Sequence, residues 1–151
     1  MYTKILVGTC LTDYCDHIFN FAFHLAQENG AKLWIYHGLG RLNTTQDGVV
    51  EKIKAAEAQV AEAYVGRMKD QGFTDYMINV SDGDIVSEMA KLARHAGIEA
   101  IVMGTSTETP LAAGESVSPG ALGEVAAELS LWAPCPVILV PPALIPGLSR
   151  G

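Results

Sequence analysis

Apolar residues along this chain fall into short unbroken runs, separated by stretches where they recur every three or four positions. Residues 4–9, Lys4-Ile5-Leu6-Val7-Gly8-Thr9, form the first run. Residues 32–37, 76–80, 100–103 and 137–140 repeat the character, each too short for a helix and rich in aliphatic or aromatic side chains. Such runs predict buried strands. Between the first two, Ile18, Phe19, Ala22, Leu25 and Ala26 keep helical spacing. Thr12 or Asp13 offers that helix an N-cap, and Asn29-Gly30 a stop. A longer helix is predicted over 47–70, with Val49, Ile53, Ala56, Val60, Tyr64 and Met68 as its apolar stripe and Gln71-Gly72 as its end. Asp82-Gly83-Asp84 reads as a turn that caps a third helix, whose buried face is Ile85, Met89, Leu92 and Ala93 and whose stop is Gly97. A fourth helix is predicted from about 121 to 131.

Strands alternating with helices imply parallel pairing through right-handed crossovers. Strands that are apolar throughout fit a sheet covered on both faces. The expected fold class is therefore α/β: a single-domain, open, parallel five-stranded sheet with helices on both faces, Rossmann-like. No internal repeat or long linker divides the chain, so residues 1–143 are expected to form the domain and 144–151 a C-terminal tail. Ligands of such sheets bind beyond the carboxyl ends of the strands, where strand order reverses. This directs attention to the loops at 9–12, 38–40, 80–84 and 104–119.

Composition narrows the function. The chain has 151 residues, 49% hydrophobic and 18% charged, enough apolar content for one full core and too much for disorder. Its formal net charge of −7 argues against nucleic acid and against anionic membrane surfaces, both of which are recognised through Lys and Arg. Residues 129–148 carry no charge over about the length of a membrane span, but Pro134, Pro136, Pro141, Pro142 and Pro146 break any helix there. The opening residues do not form a secretory signal, and three cysteines without paired spacing do not form a disulfide framework. A cytoplasmic address is the expectation.

Four stretches, in this order and spacing, resemble the universal stress protein family. They are Lys4-Ile5-Leu6-Val7, then Gly83-Asp84 before the third helix, then Ile101-Val102-Met103-Gly104-Thr105, then Gly123-Glu124-Val125-Ala126 followed by Ala133-Pro134-Cys135-Pro136-Val137-Ile138-Leu139-Val140. The resemblance covers nearly the whole chain. It implies a strand order of 3-2-1-4-5, a stress-linked regulatory role and frequent homodimers through the last strand. Here that strand is Val137, Ile138, Leu139 and Val140, an apolar sheet edge of the kind that invites pairing. One branch of the family binds ATP through G-x-x-G-x9-G-[S/T] after strand four and an Asp at the end of strand one.

At those positions this chain departs from the branch. Glycines in the motif let backbone N–H groups approach phosphate at a helix N-terminus. Gly104 supplies the first, but Thr107 falls where the second belongs. The distance to Gly123 is about six residues too long, and Glu124 replaces the hydroxyl residue. Cys10 stands where the resemblance implies an Asp. No Lys or Arg lies between Arg94 and Arg150, while five glutamates do. A carboxylate at about 4 Å from a phosphate costs about 4 kcal/mol at an effective dielectric of 20, which would turn a micromolar ligand into a millimolar one. The candidate ligand residues are Thr9, Cys10, Gly38, Met103, Gly104, Thr105, Ser106, Gly123, Glu124 and Val125. The expected function is a stress-protein-like regulatory or binding module that does not hold ATP in the family's usual way. The alternative is an ATP- or AMP-binding protein, with Mg²⁺, whose Gly/Ser-rich loop rebuilds the site and supports slow ATPase activity.

Other constellations give less. His17 and His24 lie two helical turns apart with no further ligands at metal spacing, so no metal site is expected. His37 reads as a structural hydrogen-bonding residue, and His95 as a complement to its helix dipole. Cys10 and Cys15 straddle the first loop with only Lys4 as a nearby cation, so packing is favoured over redox chemistry; Cys135 is read likewise. No G-x-S-x-G elbow, Walker lysine, HExxH, His-x-Gly-His or Ser-Gly-Gly loop occurs. Enzymatic activity is the weaker class.

Overall fold

Periodicity becomes packing in a computed structural model, which describes residues 1–105, 116–117, 122–147 and 149–150. The strands β1 (Lys4–Gly8), β2 (Lys32–Gly38), β3 (Tyr76–Ser81), β4 (Ala100–Gly104) and β6 (Val137–Val140) form one parallel sheet in the order β3-β2-β1-β4-β6. Counted along the chain, that is the order 3-2-1-4-5. Two short strands, β5 (Ser116–Val117) and β7 (Ser149–Arg150), pair in parallel apart from it. They lie in segments read from the sequence as a loop and a tail.

Side chains of period two sort the core into two layers. Ile5, Val7, Leu33, Ile35 and Val102 point to one face, against helices α1 (Asp13–Asn29) and α2 (Gln46–Asp70). Leu6, Trp34, Tyr36, Ile101 and Met103 point to the other, against α3 (Ile85–Ala96) and α4 (Glu124–Trp132). The caps are those the sequence offers. Thr12 accepts from the Cys15 N–H, Asp84 from the Ser87 N–H, and Gly30 and Gly97 close α1 and α3 in the left-handed region. Each such N-cap contributes about 1 kcal/mol.

Two boundaries differ from expectation. Helix α4 starts at Glu124 rather than near residue 121, because Gly123 is extended and its N–H is bound to the Thr105 carbonyl at 2.8 Å. The segment after β6 also does more than trail. Pro142–Leu144 forms a 3-10 turn and delivers Ile145 into the α1–α2 layer, 2% exposed. No helix among the described residues is long and apolar enough to cross a membrane.

Candidate functional site

Strand order reverses between β1 and β4, and there the carboxyl ends of β1, β2 and β4 open a cavity of about 80 Å³. Its wall includes Gly8, Thr9 and Cys10 from the end of β1, Cys15 and Ile18 from α1, and Tyr36, His37 and Gly38 from β2. Ile85 and Met89 of α3, Met103 and Gly104 of β4 and Val125 of α4 complete it. The lining is mostly apolar. Its volume is well under the roughly 300–1,000 Å³ of pockets that enclose a drug-sized ligand. A cavity of that volume does not enclose a whole nucleotide.

The glycines here answer to packing. A Cβ on Gly104 would lie 2.7 Å from Ile18 Cδ1 and 2.9 Å from the Tyr14 ring. A Cβ on Gly38 would lie 2.8 Å from Ile85 Cγ1. Helix α1 therefore sits directly on the end of β4. The Tyr14 hydroxyl pins it there, donating to the Val140 carbonyl and accepting the Thr105 N–H at 3.0 Å. The amide of Thr105, one of the candidate ligand residues, is bonded within the protein.

The loop after β1 is likewise closed on itself. Thr9 N–H donates to the Tyr36 carbonyl, and Leu11 N–H to the Thr9 hydroxyl. Cys10 N–H donates to the Cys15 sulfur at 3.0 Å. The Thr9 hydroxyl shares a 2.6 Å hydrogen bond with Tyr64 of α2, whose phenol burial pushes above the ordinary tyrosine pKa. His37 Nδ1 lies 2.8 Å from the Thr9 carbonyl, which only accepts, so the proton sits on Nδ1. That is the structural bond expected of His37.

A second, wider groove of about 240 Å³ adjoins the slot, with Ile85 and Val125 bordering both. It is lined by Gly40, Arg41, Gly83, Asp84, Val86, Glu124 and Glu128 as well. Glu124 occupies the first turn of α4, whose N-cap, Gly123, gives no side-chain bond. The carboxylate thus faces the partial positive charge that would otherwise attract an anion. Hydrogen bonds from Ser87 hold the Asp84 carboxyl below its usual pKa.

Most of the predicted ligand residues are gathered here. Thr9, Cys10, Gly38, Met103, Gly104 and Val125 line the slot, and Glu124 lines the groove. Gly123 and Thr105 stand between, bonded to each other, and Ser106 lies outside the described residues. Val137, Ile138, Leu139 and Val140 form the edge strand β6. Sequence reasoning missed Arg41, because it weighed cations only beyond Arg94. It also missed Met89, which the helical period assigned to packing, and Cys15, which the lack of a neighbouring cation assigned to packing. Among the described residues no group of three or more His, Cys, Asp or Glu is placed to hold a metal.

The comparisons agree with the fold. A family model described as the universal stress protein family matches residues 1–141. Among curated proteins none matches the chain. Universal stress protein UspA from Lactobacillus plantarum is similar, with 26% identity, 92% of this chain and 97% of that one covered, and a TM-score of 0.70. A universal stress protein in complex with cAMP shares the fold at 22% identity, with 92% and 97% coverage and a TM-score of 0.69. The universal stress protein from Archaeoglobus fulgidus in complex with dAMP does so at 18% identity, with 91% and 97% coverage and a TM-score of 0.59. The chain belongs to the universal stress protein family.

Proposed function

We propose that this member of the universal stress protein family is a regulatory binding module whose cleft takes the base and ribose of an adenine nucleotide but gives its outer phosphates no support. ATP would then not bind as it does in the family's ATP branch. The observation that carries the reading is the charge of the outer groove: Asp84, Glu124 and Glu128 against Arg41. The slot beside it, about 80 Å³ and mostly apolar, offers walls suited to an aromatic base. Two similar proteins, whose structures hold cAMP and dAMP, are consistent with a monophosphate-sized ligand.

Calorimetric titration with adenosine, AMP and ATP, each with and without Mg²⁺, tests this. Adenosine and AMP are expected to bind more tightly than ATP. Micromolar affinity for ATP would overturn the reading and favour a rebuilt phosphate site. We further propose a homodimer through β6. Its outer edge has no strand partner among the described residues, and Leu131 and Trp132, 78% and 69% exposed, end the helix that leads into it. A monomeric mass by light scattering at micromolar concentration would contradict that assembly.

A further inference from the structure

Two of the three cysteines meet at the inner end of the slot. Cys15 sits in the first turn of α1, three residues after the Thr12 cap, where the helix N-terminus favours a thiolate. The Cys15 sulfur accepts the Cys10 amide N–H at 3.0 Å. That contact keeps the two residues within the Cα separation of roughly 7 Å beyond which a disulfide needs backbone movement. The Cys10 sulfur lies 3.4 Å from the Thr12 hydroxyl, which also accepts the Cys15 N–H. Both residues border the cavity, Cys10 half-buried and Cys15 buried, so the cleft is the side from which a reagent as small as peroxide would approach them. Both are free thiols, and Cys135 stands apart at the approach to β6.

The pair is chemically unequal. The side chain of Cys10 does most to lower the Cys15 pKa, with the Thr12 hydroxyl and the Cys10 amide helping and burial opposing. The nearby Cys15 side chain, reinforced by burial, raises Cys10. Sequence reasoning looked for a neighbouring cation and found only Lys4. The activation comes instead from hydrogen bonds and the helix terminus.

We propose that Cys10 and Cys15 form a thiol pair that hydrogen peroxide oxidises to an intramolecular disulfide inside the cleft. The Cys15 thiolate attacks one peroxide oxygen; an S–O bond forms, the O–O bond breaks, and hydroxide leaves to become water. The Cys10 sulfur then attacks the sulfenic sulfur of Cys15. An S–S bond forms, the S–O bond breaks, and the hydroxyl departs with the Cys10 proton as a second water. Two thiols are oxidised and one peroxide is reduced. An external dithiol reverses the step by exchange.

The intact chain tests this. No Lys or Arg lies between Lys4 and Lys32, so one tryptic peptide, residues 5–32, carries both cysteines and another carries Cys135. After mild peroxide, the thiol titre is expected to fall from three to one, and peptide 5–32 to lose two hydrogens, reversibly with a dithiol. In Cys10→Ser, Cys15 sulfenic acid should persist and be trapped by dimedone. Cys135→Ser should leave the disulfide unchanged. Oxygen addition without loss of hydrogens, a bridge that includes Cys135, or three surviving thiols would overturn the proposal. The wild-type peptide map decides it even if a variant fails to fold.

Discussion

The two ends of the cleft are built on different terms. At the inner end, polar groups are bonded to one another and glycines are filled by neighbouring side chains. At the outer end, carboxylates converge on a groove around a bare helix N-terminus. Both ends lie on the same loops of the same sheet. The difference shows that topology fixes where a ligand can sit, while the residues at each end decide which part of it is held.

The largest effect is expected where the inner end is tightest. Gly104→Val would push a methyl-bearing Cβ into Ile18 and Tyr14, both buried, and cost about 2–3 kcal/mol by overpacking. Urea denaturation reads this directly. An unchanged midpoint would mean that α1 does not rest on β4 as described, and the comparison between the ends would collapse.

Tyr64→Phe is gentler. It removes the bond to the Thr9 hydroxyl, which keeps its second partner in the Leu11 N–H, so the cost should be about 1 kcal/mol. The same residue has a pH signature. Burial raises its pKa above the ordinary tyrosine value of about 10. A raised pKa favours the protonated form in the folded state, so this stability is complete below that value and is lost as pH climbs beyond it. The wild type should lose stability more steeply than Tyr64→Phe in alkaline urea titrations. Equal slopes would show that the phenol is not held in the α1–α2 layer.

How much of this the sequence carried depends on range. The strands of the five-stranded sheet, the caps Thr12 and Asp84 and the stops at Gly30 and Gly97 are local patterns, and all were legible. Gly104 was legible as a site residue, but its reason was not, since Tyr14 and Ile18 lie far from it in sequence. Arg41 shares a groove with Glu124 only because the loop after β2 and the start of α4 border it together. The pairing of β5 with β7 and the burial of Ile145 are likewise long-range. Cys10 and Cys15 are near in sequence, yet their relation rests on a sulfur aimed at an amide, which no spacing encodes.

At the outer end the effects are smaller, because its charges are wet. Glu124 is exposed, so replacing it by Ser should relieve at most about 1 kcal/mol of repulsion, or about fivefold in ATP affinity. Adenosine binding should not change. A gain shared equally by adenosine and ATP would mean that Glu124 shapes the slot rather than repelling phosphate, which would erase the distinction between the two ends.

Arg41 gives the finest test. Among the described residues it is the cation that lines the outer groove, and it lies on the loop after β2, across from the start of α4. Arg41→Ala should weaken AMP by about twofold, the scale of an exposed ion pair, and leave adenosine unaffected. Raising the salt should remove the difference, since exposed charges are screened beyond about 10 Å at 0.1 M. If adenosine weakened as much as AMP, the guanidinium would be packing on the base, and the boundary between the ends would have to move outward past Gly40. If neither weakened, the phosphate would not enter the groove at all, and the inner slot alone would define the ligand.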